Sequence, residues 1–442
     1  MNQRDQFEQL SDAIGGMLQA GEVFTASYSA EDSDFIRFNK GAVRQAGSVS
    51  QSQLTLDLIE GRRHCAATVG LTGDLELDRP RLARLVTELR EKRAFLPEDP
   101  YLLYATDVRS SEAVRATELP EGAAAISEVQ QASAGRDLVG IYAAGGIHTG
   151  FANSFGQRNW HTTTNFNLDW SFYHQADKAV KSSYAGFEWD AQAFQHKVSW
   201  AAAQLDVLRH TSHTIQPGRY RVYLAPAALC DITAMLASGG FGLKSHKTKQ
   251  SPLLRMVEHG ERLSPALSIL ENTGEGVAPN FQEDGFIRPD RVALIEGGAY
   301  RDWLVSPRSA AEYGTETNGA SADETPESVE VAAGDLQRDD VLSKLGTGVY
   351  VSNVWYLNWS DLPACRTTGM TRFATFWVEN GEIKAPLSVM RFDETAYRML
   401  GANLQALTTE RELVLDPSTY FGRSTYSGRI PGALVEDFTF TL

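Results

Sequence analysis

Apolar residues in this chain recur with two different periods, and the alternation between them predicts the elements. Phe7, Leu10, Ile14 and Met17 or Leu18 fall at three-and-four spacing, which predicts an amphipathic helix over residues 3–20. Strand-like runs follow at 23–29, 35–39, 42–50, 51–59 and 64–69, with Asn39-Lys40-Gly41 and Glu60-Gly61 as turns. Pro80 is then expected to open a helix whose shared face is Leu82, Leu85, Val86 and Leu89. Residues 97–123, rich in Pro, Asp and Glu, read as a surface segment, with a further helix near 121–133.

Two strands are expected at 138–145 and 147–155, parted by Gly145-Gly146. Residues 162–173 alternate Phe166, Leu168, Trp170 and Phe172 as a half-buried strand. The helix over 189–210 lines up Phe194, Val198, Ala201, Ala202, Leu205 and Leu208. Residues 219–225 alternate as a strand, and Pro226 leads into a helix over 227–237 that Gly239-Gly240 should stop. Beyond it the pattern turns to strands, near 265–271, 291–297, 299–305, 347–358, 373–379 and 382–390. Asn380-Gly381 is a strong two-residue hairpin turn, and Pro386 limits the last strand to an edge. Residues 313–335 are acidic, small and poor in aromatics, which predicts a mobile loop. Together these elements predict an α+β protein of two domains, 1–210 and 211–442, the first with helices over an antiparallel sheet and the second β-rich.

Composition narrows the function classes. The 442 residues allow an ample core, and 42% hydrophobic with 22% charged residues is ordinary for a globular protein. A net charge of −15 argues against a surface built to bind nucleic acid directly. The basic run Lys244-Ser-His-Lys-Thr-Lys249 reads as a solvated loop. Residues 1–22 carry no apolar core of a secretory signal, and no window is long and apolar enough for a membrane span. Cys65, Cys230 and Cys365 are far apart and odd in number, so a reduced, cytoplasmic location is expected.

Catalytic chemistry is thinly represented. Of nine histidines only His210 and His213 lie within a helical turn, at a helix end and with no Glu between them, which suits dipole compensation better than metal binding. Cys230 sits mid-helix among small apolar residues. Cys365 follows Pro363 in a loop beside Arg366, which could lower its pKa, and it is the one candidate nucleophile. There is no Gly-x-Ser-x-Gly elbow, P-loop or dinucleotide fingerprint. No cofactor or metal is expected.

Three segments carry a resemblance. They are Ile36-Arg-Phe-Asn-Lys-Gly-Ala-Val43, Gly150-Phe-Ala-Asn-Ser-Phe-Gly156, and the hairpin from Arg366 to Arg391 with Trp377-Val-Glu-Asn-Gly381 and Ala385-Pro386. In order and spacing they resemble the TldD/PmbA family, in which a zinc protease subunit pairs with a similar subunit that lacks the zinc motif. The resemblance implies a curved sheet or half-barrel for the second domain. It also implies a His-Glu-x-x-x-His helix after a strand like 219–225 in the zinc-bearing branch, and a Cys ligand near that branch's C-terminus. Here the matching helix reads Ala227-Ala-Leu-Cys-Asp-Ile-Thr-Ala-Met-Leu236, and 416–442 contain no Cys. The chain is therefore similar to the PmbA-like (TldE-like) members. The implied role is a non-catalytic subunit of a zinc peptidase complex, a homodimer or a heterodimer with a zinc-bearing relative, acting on peptides or unfolded protein. A stand-alone non-metal hydrolase, and a regulatory binding protein such as a DNA gyrase modulator, are the alternatives. Gly369, Met370, Thr371 and Arg372 are the candidate cleft-lining segment.

Overall fold

The structure, a computed structural model, describes residues 2–120, 122–175 and 178–442. Two sheets divide the chain. The first has the order β3-β2-β1-β5-β6-β4, with β7 also on β6. Its strands are β1 (Glu22–Asn39), β2 (Ala42–Glu60), β3 (Arg63–Leu71), β4 (Ser111–Arg115), β5 (Asp137–Asn153), β6 (Arg158–Gln175) and β7 (Lys178–Gly186). All of its pairings are antiparallel except β4 with β6.

Several expected strands merge. The runs at 23–29 and 35–39 are one strand, β1, and those at 42–50 and 51–59 are one strand, β2. Gly145-Gly146 is no turn, because β5 runs straight through it. A Cβ on Gly145 would lie 2.0 Å from the Asp32 carbonyl oxygen, and φ is +144°. This glycine therefore serves close strand approach, which local sequence cannot distinguish from a turn.

Helices cover this sheet. In α1 (Gln3–Gly15), capped by Asn2, Phe7, Leu10 and Ile14 are buried. The second helix, α2 (Leu75–Arg93), begins five residues before Pro80, because the Asp74 side chain accepts from Glu76 N and caps it. The helix expected at 121–133 is α3 (Gly122–Ala132); its expected first residue, Glu121, lies outside the described residues. An ion-pair knot holds one end of this sheet. Glu22 accepts from Arg90 (2.7 Å) and Arg93 (2.9 Å), and Arg93 also reaches Glu60 (2.8 Å), so β1, β2 and α2 meet there. Next comes α4 (Ala191–Leu208), whose Asp190 cap accepts from Gln192 and Ala193 and whose apolar face is buried.

The second sheet contains β8 (Gly218–Leu224), β9 (Ile269–Asn272), β10 (Arg291–Glu296), β11 (Ala299–Tyr300), β12 (Ser328–Val331), β13 (Gly348–Asp361), β14 (Arg366–Glu379), β15 (Glu382–Pro386), β16 (Arg391–Thr395), β17 (Leu404–Leu415) and β18 (Ser427–Phe440). Its pairings run β8–β13–β14–β16–β18 and return to β8, so the curved sheet closes into a ring. One helix, α5 (Pro226–Gly240), packs on β13 and β18, burying Leu229, Ile232 and Leu236 with Val349, Val351 and Val435. It kinks at Ser238–Gly239, where Gly239 takes φ +78°. Residues 313–335 are no mobile loop: Ala320, Glu324 and Val329 are buried and Ser328–Val331 is β12. Glu324 explains the packing, since its carboxylate accepts from Ser306 N, Ser306 Oγ and Lys244 N. The strand expected at 299–305 shrinks to two residues, and that at 265–271 starts at Ile269. Arg423 ties the sheets together, donating to the Gly145 and Asn165 carbonyl oxygens from the segment before β18.

Candidate functional site

A cavity of about 620 Å³ opens where α4, α5, β7, β13, β14 and β17 converge. Its size suits an extended ligand of several residues or a small organic molecule. Pro226 starts α5 at the cavity wall, being tolerated in the first turn where its missing N–H costs nothing. One turn of α5 then presents Ala227, Cys230 and Asp231 to the cavity, while its apolar face is buried in the core.

Cations and carboxylates alternate around the wall. Lys181 Nζ lies 3.1 Å from Asp169, Lys197 Nζ 2.9 Å from Glu412, and Arg338 3.5 Å from Glu412. Burial pushes Asp169 up, with Lys181 opposing. Burial also works to raise Glu412, but Lys197 and Arg338 outweigh it and hold this carboxyl below its ordinary value. Asp231 is open to cavity solvent, yet the surrounding protein pushes it up to about 6 against the pull of Lys181. Burial pushes the Cys230 thiol up to about 12, with Asp231 adding to the effect.

A zinc site needs three or four convergent imidazole, thiolate or carboxylate ligands. The cavity face of α5 offers a methyl group, one buried thiol and one carboxylate. His196 supplies an imidazole from α4. Among the described residues no three or more His, Cys, Asp or Glu side chains come together to hold a metal ion. This donor set does not fit zinc. His210 is exposed, and the His213 ring stacks on Trp377 at 5.2 Å.

Cys365 is wholly buried, not in an open loop, and its thiol is pushed up to about 12 by burial, the opposite of the expected direction. Arg366 is engaged elsewhere, 3.1 Å from Asp393. The segment Gly369–Arg372 lies within β14. Gly369 packs so closely that a Cβ would meet Phe392 at 2.7 Å, and Thr371 is buried, accepting from Met390 N. Met370 pairs with Trp355 and is not part of the wall, whereas Arg372 lines the cavity.

Two bulges place Arg372. On β13, Tyr356 and Leu357 stand opposite Gly369 alone; on β14, Phe373 and Ala374 stand opposite Ser352 alone. Tyr356 and Phe373 both have φ of +58°, a left-handed conformation costly for an aromatic residue. Bulges re-aim side chains. Here they bring the Arg372 guanidinium 3.6 Å from the Trp355 ring centroid and 4.9 Å from that of Phe373. Sequence reading missed Lys181, Lys197, Glu412 and Trp355. The adjacent Trp355-Tyr356, which breaks strand alternation, was the available sign of a bulge.

The PmbA/TldA metallopeptidase C-terminal domain matches residues 217–442, half of the chain. Metalloprotease PmbA of Escherichia coli O157:H7 is 23% identical over 256 residues, 54% of this chain, and the match spans about half the length of that relative (52%). TldE from Thermococcus kodakarensis superposes with a TM-score of 0.76 at 13% identity, covering 99% of this chain and 100% of that one. A proposed modulator of a DNA gyrase from Thermotoga maritima gives 0.77 at 14%, covering 98% and 100%. Another from Bacteroides thetaiotaomicron gives 0.73 at 15%, covering 99% and 98%. At such identities the structures establish the shared fold, and the domain match establishes the lineage: this chain belongs to the PmbA/TldD family of metallopeptidase-related proteins.

Proposed function

We propose that this chain is a member of the family that holds peptide without supplying metal ligands, and that it works as the non-catalytic partner of a zinc-bearing relative. The observation that carries the reading is the cavity face of α5, where Ala227, Cys230 and Asp231 stand in place of a ligand set. The cavity itself supports a peptide-holding role. Its wall combines aromatic surface from Trp200, Tyr223 and Trp355 with paired charges, a mixture suited to an extended chain carrying both apolar and polar groups. Three free cysteines, two of them buried, fit a reducing cytoplasm. No helix among the described residues is long and apolar enough to cross a membrane.

The test is to purify the chain alone and together with a His-Glu-x-x-x-His relative from the same organism. Elemental analysis and cleavage of unfolded peptides are then measured on both. The chain alone should carry no stoichiometric zinc and cleave nothing, and it should co-purify with the relative and change which peptides that relative cuts. Stoichiometric, chelator-sensitive zinc on the chain alone would overturn the reading.

A further inference from the structure

Of the lysines and arginines on the cavity wall, Lys181, Lys197 and Arg338 each face a carboxylate of the protein. Arg372 does not. Among the described residues its side chain makes ring contacts with Trp355 and Phe373 and has no hydrogen-bond acceptor or ion-pair partner. A guanidinium carries five N–H donors, and Arg372, which is only partly buried, has them available to a ligand in the cavity. Stacking on an aromatic face satisfies the plane of the group and leaves its N–H edge free. That edge matches a carboxylate through two parallel hydrogen bonds.

The backbone around Arg372 points the same way. Two bulges, each with a left-handed aromatic residue, bracket the three pairs Asn353–Arg372, Val354–Thr371 and Trp355–Met370. Trp355 and Tyr356 stand open beside Arg372, 50% and 73% exposed. Strain of this kind, and large aromatic rings left in water, are retained where a ligand uses them. Held against Trp355, the guanidinium is already oriented, so less freedom is lost when a ligand arrives.

We infer that Arg372, clamped between Trp355 and Phe373, is the carboxylate-binding element of the cavity, and that the peptide it holds presents either an acidic side chain or its free C-terminus there. This rests on the peptide-holding reading given above. A single carboxylate fits better than a polyanion, because a chain of net charge −15 repels the latter.

Four short unlabelled peptides separate the possibilities: one extended sequence with Glu or Gln at a central position, each with a free or an amidated C-terminus. Binding to the full chain is measured by calorimetry. One carboxylate-bearing form should bind about ten- to a hundredfold tighter than the neutral peptide. Whether the Glu or the terminus gives the gain identifies the source. Arg372→Met should abolish that preference, so that the four peptides bind alike, and Arg372→Lys should restore part of it. A merely structural role would instead weaken all four peptides alike. If the peptides bind wild-type protein without regard to carboxylate, or if Arg372→Met keeps the preference, the carboxylate role is refuted while the peptide-holding reading stands. If none of the four binds, both fall together.

Discussion

Replacing Glu22 by Gln isolates the ion-pair knot at the start of the first sheet. Glu22 is nearly excluded from solvent and accepts from both Arg90 and Arg93. The hydrogen bond from Arg90, with further help from the Gln19 backbone N–H and Arg93, outweighs burial and holds its carboxyl at about 2, against an ordinary 4.5. Since the folded state favours the charged form, this contribution is fully present above pH 4.5. It is lost as pH falls toward 2. At about 1.4 kcal/mol per pH unit the difference amounts to roughly 3 kcal/mol at neutral pH. Gln keeps the shape of a protonated Glu, so the variant should be less stable by that amount at pH 7. The gap should close by about 1.4 kcal/mol for each pH unit below 4.5. Urea unfolding of both proteins at pH 7 and pH 3.5, followed by circular dichroism, measures the gap directly. A gap of the same size at both pH values would show that the charge of Glu22 contributes nothing, and that packing alone accounts for the loss.

Two further predictions concern other parts of the molecule. Iodoacetamide on the native protein should alkylate the partly exposed Cys65 and spare Cys230 and Cys365, whose buried thiols resist ionisation, as peptide mass mapping would reveal. Gly145→Ala should cost about 2 kcal/mol or more in a urea melt, since its Cβ would press on the Asp32 carbonyl across the β1–β5 pair; an unchanged midpoint would mean that the strands can part freely there.

Legibility in the sequence followed the range of the forces involved. The face of α4 could be read because Phe194, Val198, Ala201 and Leu205 repeat within one element. The helix over 227–237 and its break at Gly239 were legible from Pro226 at the start and the glycine pair at the end. The continuity of β5 was not, because Gly145 is required by a neighbour 113 positions earlier, Asp32, and not by its own surroundings. The acidic stretch 313–335 looked disordered because Glu324 finds its donors at Ser306 and Lys244, which no local window contains. In the candidate site, which side chains α5 carries was legible, since it depends only on residue identity. The pairing of Lys197 with Glu412 was not, and neither was the stacking of Arg372 on Trp355, because each depends on elements meeting across the fold.

The ring of strands carries a consequence for synthesis on the ribosome. Residues 427–440 form β18, which supplies neighbours to β8, β12, β16 and β17. Until those residues emerge, β8, made about two hundred residues earlier, has a bare edge where β18 should lie. The first sheet can mature while translation continues, but the second must wait with its apolar interior accessible. A cell making this protein quickly would therefore rely on chaperones to guard the nascent second half, and deletion of residues 427–440 would leave the ring open beside β8.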